Sequence, residues 1–314
     1  MARKLVNELS WSVSRDHLFQ SCERAYYYTY YGSWGGWESD APAATRKLYI
    51  LKNMQTLAMW AGGVVHGVIA EALRRHAMKR SPINAAELKA HAREKLRAGW
   101  LEAVNRDWEA TPKKTNLFEL YYGNGRTLPA EETERIKERV NSCLDAFADS
   151  AILREILAAS YLSWRPVEQL DSFLLDGTLK VWCVIDFAFS DPAGWLRILD
   201  WKTGGEREDS LQLQLACYAL FAADKWHVPV ERQRVAGVFL REGARVSEYP
   251  VEPTTLIEAK DRVLTSAAAM RGKLADVEAN LAREEGFSPC GKPWVCAGCN
   301  YREVCPGVTA QSTA

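Results

Sequence analysis

The 314-residue chain has no net charge, since 40 lysines and arginines balance 40 aspartates and glutamates. That excludes a global field as the way it attracts a polyanion, and leaves only local basic patches for such a task. No apolar run approaches the ~20 residues that cross a bilayer, and the opening MARKLVNELSWS lacks the apolar stretch of a secretion signal. The expected compartment is therefore the cytoplasm, with no membrane partner. There is no internal repeat and no low-complexity linker to mark a domain boundary. With 47% apolar and 25% charged residues, the composition is that of an ordinary globular protein with a large core. In a reducing compartment its eight cysteines are not read as disulfides.

Helical spacing begins with SVSRDHLFQSCERAYYYTYYG, where Ser12 and Ser14 are candidate N-caps and Gly32 ends the run. A Gly- and Trp-rich loop follows. The pattern is helical again from about 43 to 79, with an expected break at Gly62-Gly63, and then over about 84–109 and 129–158. A polar segment near 111–127, with Gly123 and Gly125, separates the last two. The character changes at about 160. YLSWRPVEQ, SFLLD, TLKVWCVIDFAFS and WLRILDWK read as strands, punctuated by Asp176-Gly177 and by Asp191-Pro192-Ala193-Gly194. A helix over about 210–226, two more strands and a long helix over about 254–285 precede a cysteine-rich tail and a disordered-looking TAQSTA end. The layout is mixed α/β and reads as one domain. A mainly helical part (1–158) adjoins an α/β core (159–252) and a helix with the cysteine-rich tail (253–314).

The stretch LRILDWKTG ends an apolar strand with Asp200 and Lys202 on one face, because side chains two apart in a strand point the same way. A surface ion pair is the simple account. The turn SDPAG is centred on residue 193, midway between Asp186 and Asp200, so in a hairpin the two carboxylates face each other. Like charges so placed are destabilising and call for a cation. Oxygen ligands of this kind suit Mg²⁺ or Mn²⁺. The alternative is one capping and one solvated aspartate. Beside a metal, Lys202 is suited to orient or deprotonate a water, or to stabilise a pentavalent phosphate. Gln214 and Tyr218, at i and i+4 of the next helix, share a face that can steady it. His66 stands on an apolar helix, as a satisfied core residue or as a third ligand.

Cys143, Cys183 and Cys217 sit in apolar, periodic contexts and read as buried small hydrophobes. Cys296, Cys299 and Cys305 crowd together like a metal or cluster site that lacks one ligand. Cys290 can complete it as a four-cysteine zinc site, and Cys22 is the other candidate.

The ordered set of His66, Asp186, Asp200-Trp201-Lys202 and Gln214 with Tyr218 resembles the PD-(D/E)XK nuclease superfamily, and more narrowly its RecB-type branch. That resemblance implies a restriction-endonuclease-like core sheet flanked by helices. It implies a metal (Mg²⁺ or Mn²⁺) held by His66, Asp186, Asp200 and the carbonyl of Trp201, with Lys202 as catalytic base or stabiliser. Asp186, Asp200, Gln214 and Tyr218 complete the catalytic set, and the reaction is metal-assisted phosphodiester hydrolysis. Where many relatives carry a glutamate four residues after the histidine, this chain has Ala70 and then Glu71, so no role is carried over to Glu71. One N-terminal cysteine followed by aromatic residues, with a C-terminal C-x2-C-x(n)-C, is similar to helicase–nuclease subunits and to the iron–sulfur nucleases of CRISPR adaptation. That implies a [4Fe–4S] cluster on Cys22, Cys296, Cys299 and Cys305, and the surplus Cys290 keeps zinc open.

The implied activity is that of a single-strand DNA exonuclease in repair, recombination, CRISPR adaptation or phage defence. Arg24, Tyr27, Trp34 and Trp37 are the candidate strand contacts, while the basic run Arg74, Arg75, Lys79 and Arg80 also reads as a solvated helix end. No Walker A loop occurs, so any unwinding would come from a partner helicase or another subunit. The other open reading is a DNA-binding or structural subunit of a larger complex, with an auxiliary or silent site.

Overall fold

The computed structural model describes residues 5–123, 127–205 and 208–306. Gly125 and the TAQSTA end lie outside them. The fold is mixed α/β with a helical N-terminal half. Ser12 caps α1 (Val13–Ser21), accepting from the Arg15 N–H at 3.2 Å. The chain turns extended at Cys22 before α2 (Glu23–Tyr27). Next come α3 (Ala43–Lys52), α4 (Leu57–Lys79), α5 (Ala85–Val104), the short α6 (Phe118–Tyr121), α7 (Ala130–Asp149) and α8 (Ala151–Ala158).

The expected break at Gly62-Gly63 does not occur, because both glycines lie inside α4. The chain breaks before it instead, where Thr56 caps the new helix through the Met59 N–H and Gln55 bridges to Leu117. A capping threonine with a tertiary anchor decides the boundary, and glycine inside a helix costs only about 1 kcal/mol.

Strands β1 (Gln169–Leu175) and β2 (Leu179–Ile185) form an antiparallel pair. Strands β3 (Phe187–Ser190), β4 (Leu196–Lys202), β5 (Gln233–Phe239) and β6 (Arg245–Tyr249) form a second sheet in that order, antiparallel except for the parallel pair β4–β5. The parallel pair needs a crossover, which α9 (Glu208–Lys225) supplies.

Alternation along the strands sends Phe187, Phe189, Leu199 and Trp201 into a core with α4, α5, α7 and α8. Ala188, Leu196 and Ile198 go into a second core with α9 and α10 (Pro253–Arg271). Cys143, Cys183 and Cys217 are buried in these cores. The last long helix stops at Gly272 rather than running to 285. Asp276 and Leu281 close a small bridge there, with Asn280 in the left-handed region and the Asp276 carboxylate capping Ala279. Local turn chemistry overrides the helix propensity of that Ala-rich stretch.

Candidate active site

Two hairpins meet at Asp186, which sits where β2 passes directly into β3. In the first hairpin Gln169 pairs with Ile185, so one further step sets Glu168 across from Asp186. In the second, Phe187 pairs with Leu199, and one further step sets Asp200 across from Asp186. A single buried carboxylate is thus flanked by two more.

Such a cluster needs positive charge, and two cations enter it. His66, from the middle of α4, brings Nδ1 to 3.2 Å from Glu168 Oε1 and 3.3 Å from Asp186 Oδ1. The Lys202 ammonium lies 2.6 Å from Asp200 Oδ2. The other Asp186 oxygen accepts the Trp201 backbone N–H at 2.6 Å, while the Trp201 indole is buried edge-on against Phe147. On α9, Gln214 accepts from the Lys202 ammonium at 3.0 Å and donates to the Tyr218 hydroxyl at 2.7 Å. Tyr218 in turn donates to the Val184 carbonyl, with Asp200 Oδ1 3.3 Å away.

The titration behaviour follows from this crowding. Burial, reinforced by the neighbouring Asp200 charge, pushes Asp186 up to about 7. Burial works against a charged His66, yet Asp186 and Glu168 overcome it and hold the imidazole well above its usual range. For Glu168, burial is likewise outweighed by His66, so its carboxyl titrates below the ordinary value. Burial, with the Asp200 and Asp186 charges, raises Tyr218 far enough to keep it a neutral hydrogen-bonding phenol.

The donor set fits a hard divalent cation. Ligand atoms of His66, Glu168 and Asp186 all lie within 4.8 Å of one another. Asp200 Oδ2 is buried, and although Lys202 is close it makes no aligned hydrogen bond, so its lone pairs stay open to a cation. The imidazolium stands where positive charge is wanted, and it must give up its proton to ligate a metal. His66 and Glu168 line an open cleft of about 670 Å³, with Met59, Gly63, Gly67 and Ala70 of α4, Arg74 and Thr203, and Asp186 and Asp200 lie buried behind them. A Cβ at Gly63 or Gly67 would meet nothing within 4 Å, so these glycines widen the cleft. One at Gly62 would lie 3.0 Å from Thr203 Oγ1, so that glycine lets the chain after β4 close in.

The sequence model of the PD-(D/E)XK nuclease superfamily matches residues 10–306. The chain belongs to this superfamily. Nucleases of this kind use divalent metals, in keeping with the carboxylate cluster. No curated protein matches the chain. Among solved structures it is similar to one titled "Crystal structure of SSO0001", at 18% identity and a TM-score of 0.25, covering 56% of this chain and 79% of that one.

Sequence reasoning about this nuclease missed Glu168. The signal was present: the Asp176-Gly177 turn centres the first hairpin, and reflecting Asp186 through residue 177 lands on 168. Arg74 was read as part of a helix end, yet it lines the cleft and donates to the Val167 carbonyl beside Glu168. Glu71 also lines the cleft, but its carboxylate is held by Lys95 at 2.7 Å and by His91.

The second constellation lies where the two ends of the chain meet. Cys22, Cys290, Cys296, Cys299 and Cys305 line one small cavity with Arg24, Tyr28 and Tyr301. Cys290 and Cys296 bring their sulfurs to 4.0 Å. Burial raises the thiols of Cys22 and Cys296 and pushes Cys299 up to about 11. The tyrosine-rich segment beside them is largely structural. Tyr26 and Tyr28 are buried, and Tyr27 packs between Tyr31 and Phe287. Arg24 does not face a ligand: its guanidinium is buried, donating to the Phe287 carbonyl at 2.7 Å and pairing with Glu284 at 2.5 Å. The strand contact expected of it is corrected on that ground. Trp34 and Trp37 stay half-buried, edge-to-face with each other and, through Trp37, with Tyr49.

Proposed function

We propose that the chain is a DNA-hydrolysing nuclease domain, acting on single-stranded ends at a cation centre made by His66, Glu168, Asp186, Asp200 and the Trp201 carbonyl. The observation that carries this reading is the convergence of three ligand residues within 4.8 Å beside the Lys202–Asp200 pair, reached from an open cleft through His66 and Glu168. Mg²⁺ or Mn²⁺, when bound, supplies Lewis acidity toward the scissile phosphate. The protein's own residues do the rest. Gln214 and Asp200 hold the Lys202 ammonium, which orients or deprotonates the attacking water. Tyr218 locks Gln214, and Arg74 offers positive charge to a phosphate in the cleft. A silent site in a larger assembly would have no physical reason to keep three opposed carboxylates and their lysine.

The chain ends are assigned a [4Fe–4S] cluster on Cys22, Cys296, Cys299 and Cys305, with Cys290 as the surplus thiol. Tetrahedral zinc at about 2.3 Å from each sulfur would set the sulfurs about 3.8 Å apart. Cys290 lies close to Cys296, at 4.0 Å, and close to Cys22, but no three of the thiols lie within 4.8 Å of one another. The wider spread suits a larger group. The protein would work in the cytoplasm, in repair, recombination, CRISPR adaptation or defence, with a helicase or other subunit supplying the strand.

The test is cleavage of end-labelled single- and double-stranded DNA by anaerobically purified protein with Mn²⁺, Mg²⁺ or EDTA, beside Lys202→Ala. Metal-dependent cutting that falls about 10²- to 10⁴-fold in the variant is the expected result. An equally active variant, or a folded and brown wild type that cuts nothing, would refute the reading.

A further inference from the structure

A second cavity, of about 690 Å³, opens between α5 and α7 over the first turns of α4. Its volume lies in the range of small-molecule sites. One wall is built from Arg93, Leu96, Arg97 and Trp100, spaced i, i+3, i+4 and i+7 on a single stripe of α5. Trp60 of α4 forms the floor. Gly99 makes that possible, since a Cβ there would stand 2.9 Å from the Trp60 indole nitrogen. The facing wall comes from α7, with Ile136 and Asn141.

The charges on α5 are unevenly paired. Lys89 meets Asp145 at 2.7 Å and Lys95 meets Glu71 at 2.7 Å. Arg93 and Arg97, the two that face the cavity, have no ion-pair partner among the described residues. An apolar, indole-lined hollow rimmed by two such guanidinium groups fits a ligand that is flat, apolar on its faces and anionic on its edge. Indole and guanidinium planes both stack on nucleobases, and guanidinium also pairs with phosphate. The cavity and the catalytic cleft lie on different sides of one element, α4. The same turns of α4 present Ala58 and Met59 to the cleft and Leu57 and Trp60 to the cavity, and Trp60 stands only about 9 Å along the helix from His66.

We propose that this cavity is a subsite for one unstacked nucleotide of the substrate strand, with its base against Trp100 and Leu96 and its phosphate on Arg93 and Arg97. The proposal rests on the nuclease reading and adds a cause for strand selectivity, because a base held in a duplex cannot enter.

Binding separates the subsite from the chemistry. Fluorescence anisotropy of the full chain in EDTA, with a labelled single-stranded oligonucleotide and an abasic strand of equal length, is the measurement. Trp100→Leu is expected to weaken the base-bearing strand roughly tenfold and leave the abasic strand unchanged. The double variant Arg93→Gln/Arg97→Gln, both surface positions, is expected to lower the salt dependence of binding by about 0.7 in log–log slope, for the one phosphate charge no longer neutralised. Unchanged affinity and slope in these variants overturns the proposal. So does an equal weakening for both strands, or displacement of the strand by polyglutamate as readily as by unlabelled DNA. Cutting is followed separately with Mn²⁺. If wild type fails to cut while the binding pattern holds, the nuclease reading falls and the subsite stands.

Discussion

The carboxylate cluster and the thiol cluster are built on opposite plans. The first draws Glu168, Asp186 and Asp200 from two consecutive hairpins and carries its own cations, His66 and Lys202, within 3.3 Å of its oxygens. The second draws Cys22 from one end of the chain and four cysteines from the other, and the cation lining its cavity, Arg24, is committed to Glu284. Internal cations let the carboxylates stay close together without a metal. The thiols have no such substitute, and burial raises those of Cys22, Cys296 and Cys299. One site is therefore built by local strand geometry, whereas the other gathers distant segments that the Arg24–Glu284 pair and the Tyr28–Tyr301 contact also join.

Removing one thiol should break this contrast most visibly. Cys305→Ser is expected to lower stability by several kcal/mol, ~10 °C or more in melting temperature, with loss of iron and of visible absorption. Lys202→Ala should leave iron content and visible absorption unchanged. If Cys305→Ser melts like the wild type, the thiol pocket is not a fastening.

A ligand change sharpens the other side. Glu168→Gln should raise the Mn²⁺ concentration for half-maximal cutting by about 10- to 100-fold while the fold persists. An unchanged metal requirement would remove Glu168 from the site.

The smallest effect is in pH. Between about 4 and 7, folded Asp186 holds a proton that the unfolded chain has released, so the stability of metal-free protein falls as pH rises across that window. His66, raised above its ordinary value, continues the fall above about 6.5. Glu168, lowered, acts in the opposite sense only below about 4.5. Melting of metal-free protein between pH 5 and 8 should therefore decline with pH, by ~1 kcal/mol or more, and Asp186→Asn should flatten the acid half of the curve. A cysteine substitution should leave the slope as it was.

Much of the β core was legible because period-two alternation and turn residues act locally. The SDPAG midpoint alone put Asp186 across from Asp200, and the same construction on Asp176-Gly177 would have found Glu168. What escaped is tertiary. No local pattern says that Thr56 and a Leu117 bridge, not two glycines, split the helical run after 43. Nor does one say that Arg24 turns inward to Glu284, or that Gly62 exists so that Thr203 can approach α4. The convergence of Cys22 with the C-terminal thiols joins residues more than 260 positions apart, and spacing cannot choose between Cys22 and Cys290 when both line the pocket.

The meeting of Cys22 with Cys296, Cys299 and Cys305 also bears on how the protein is made. A ribosome completes every residue of the hydrolytic centre by Tyr218, and three of these thiols follow only after a further long stretch. At ~5–20 residues per second that interval is on the order of ten seconds. A nascent chain thus carries all its cutting chemistry before it can receive the group that would fasten its first helices. On the proposed cluster assignment, delivery of that group is the last step of maturation and follows the synthesis of every other site residue.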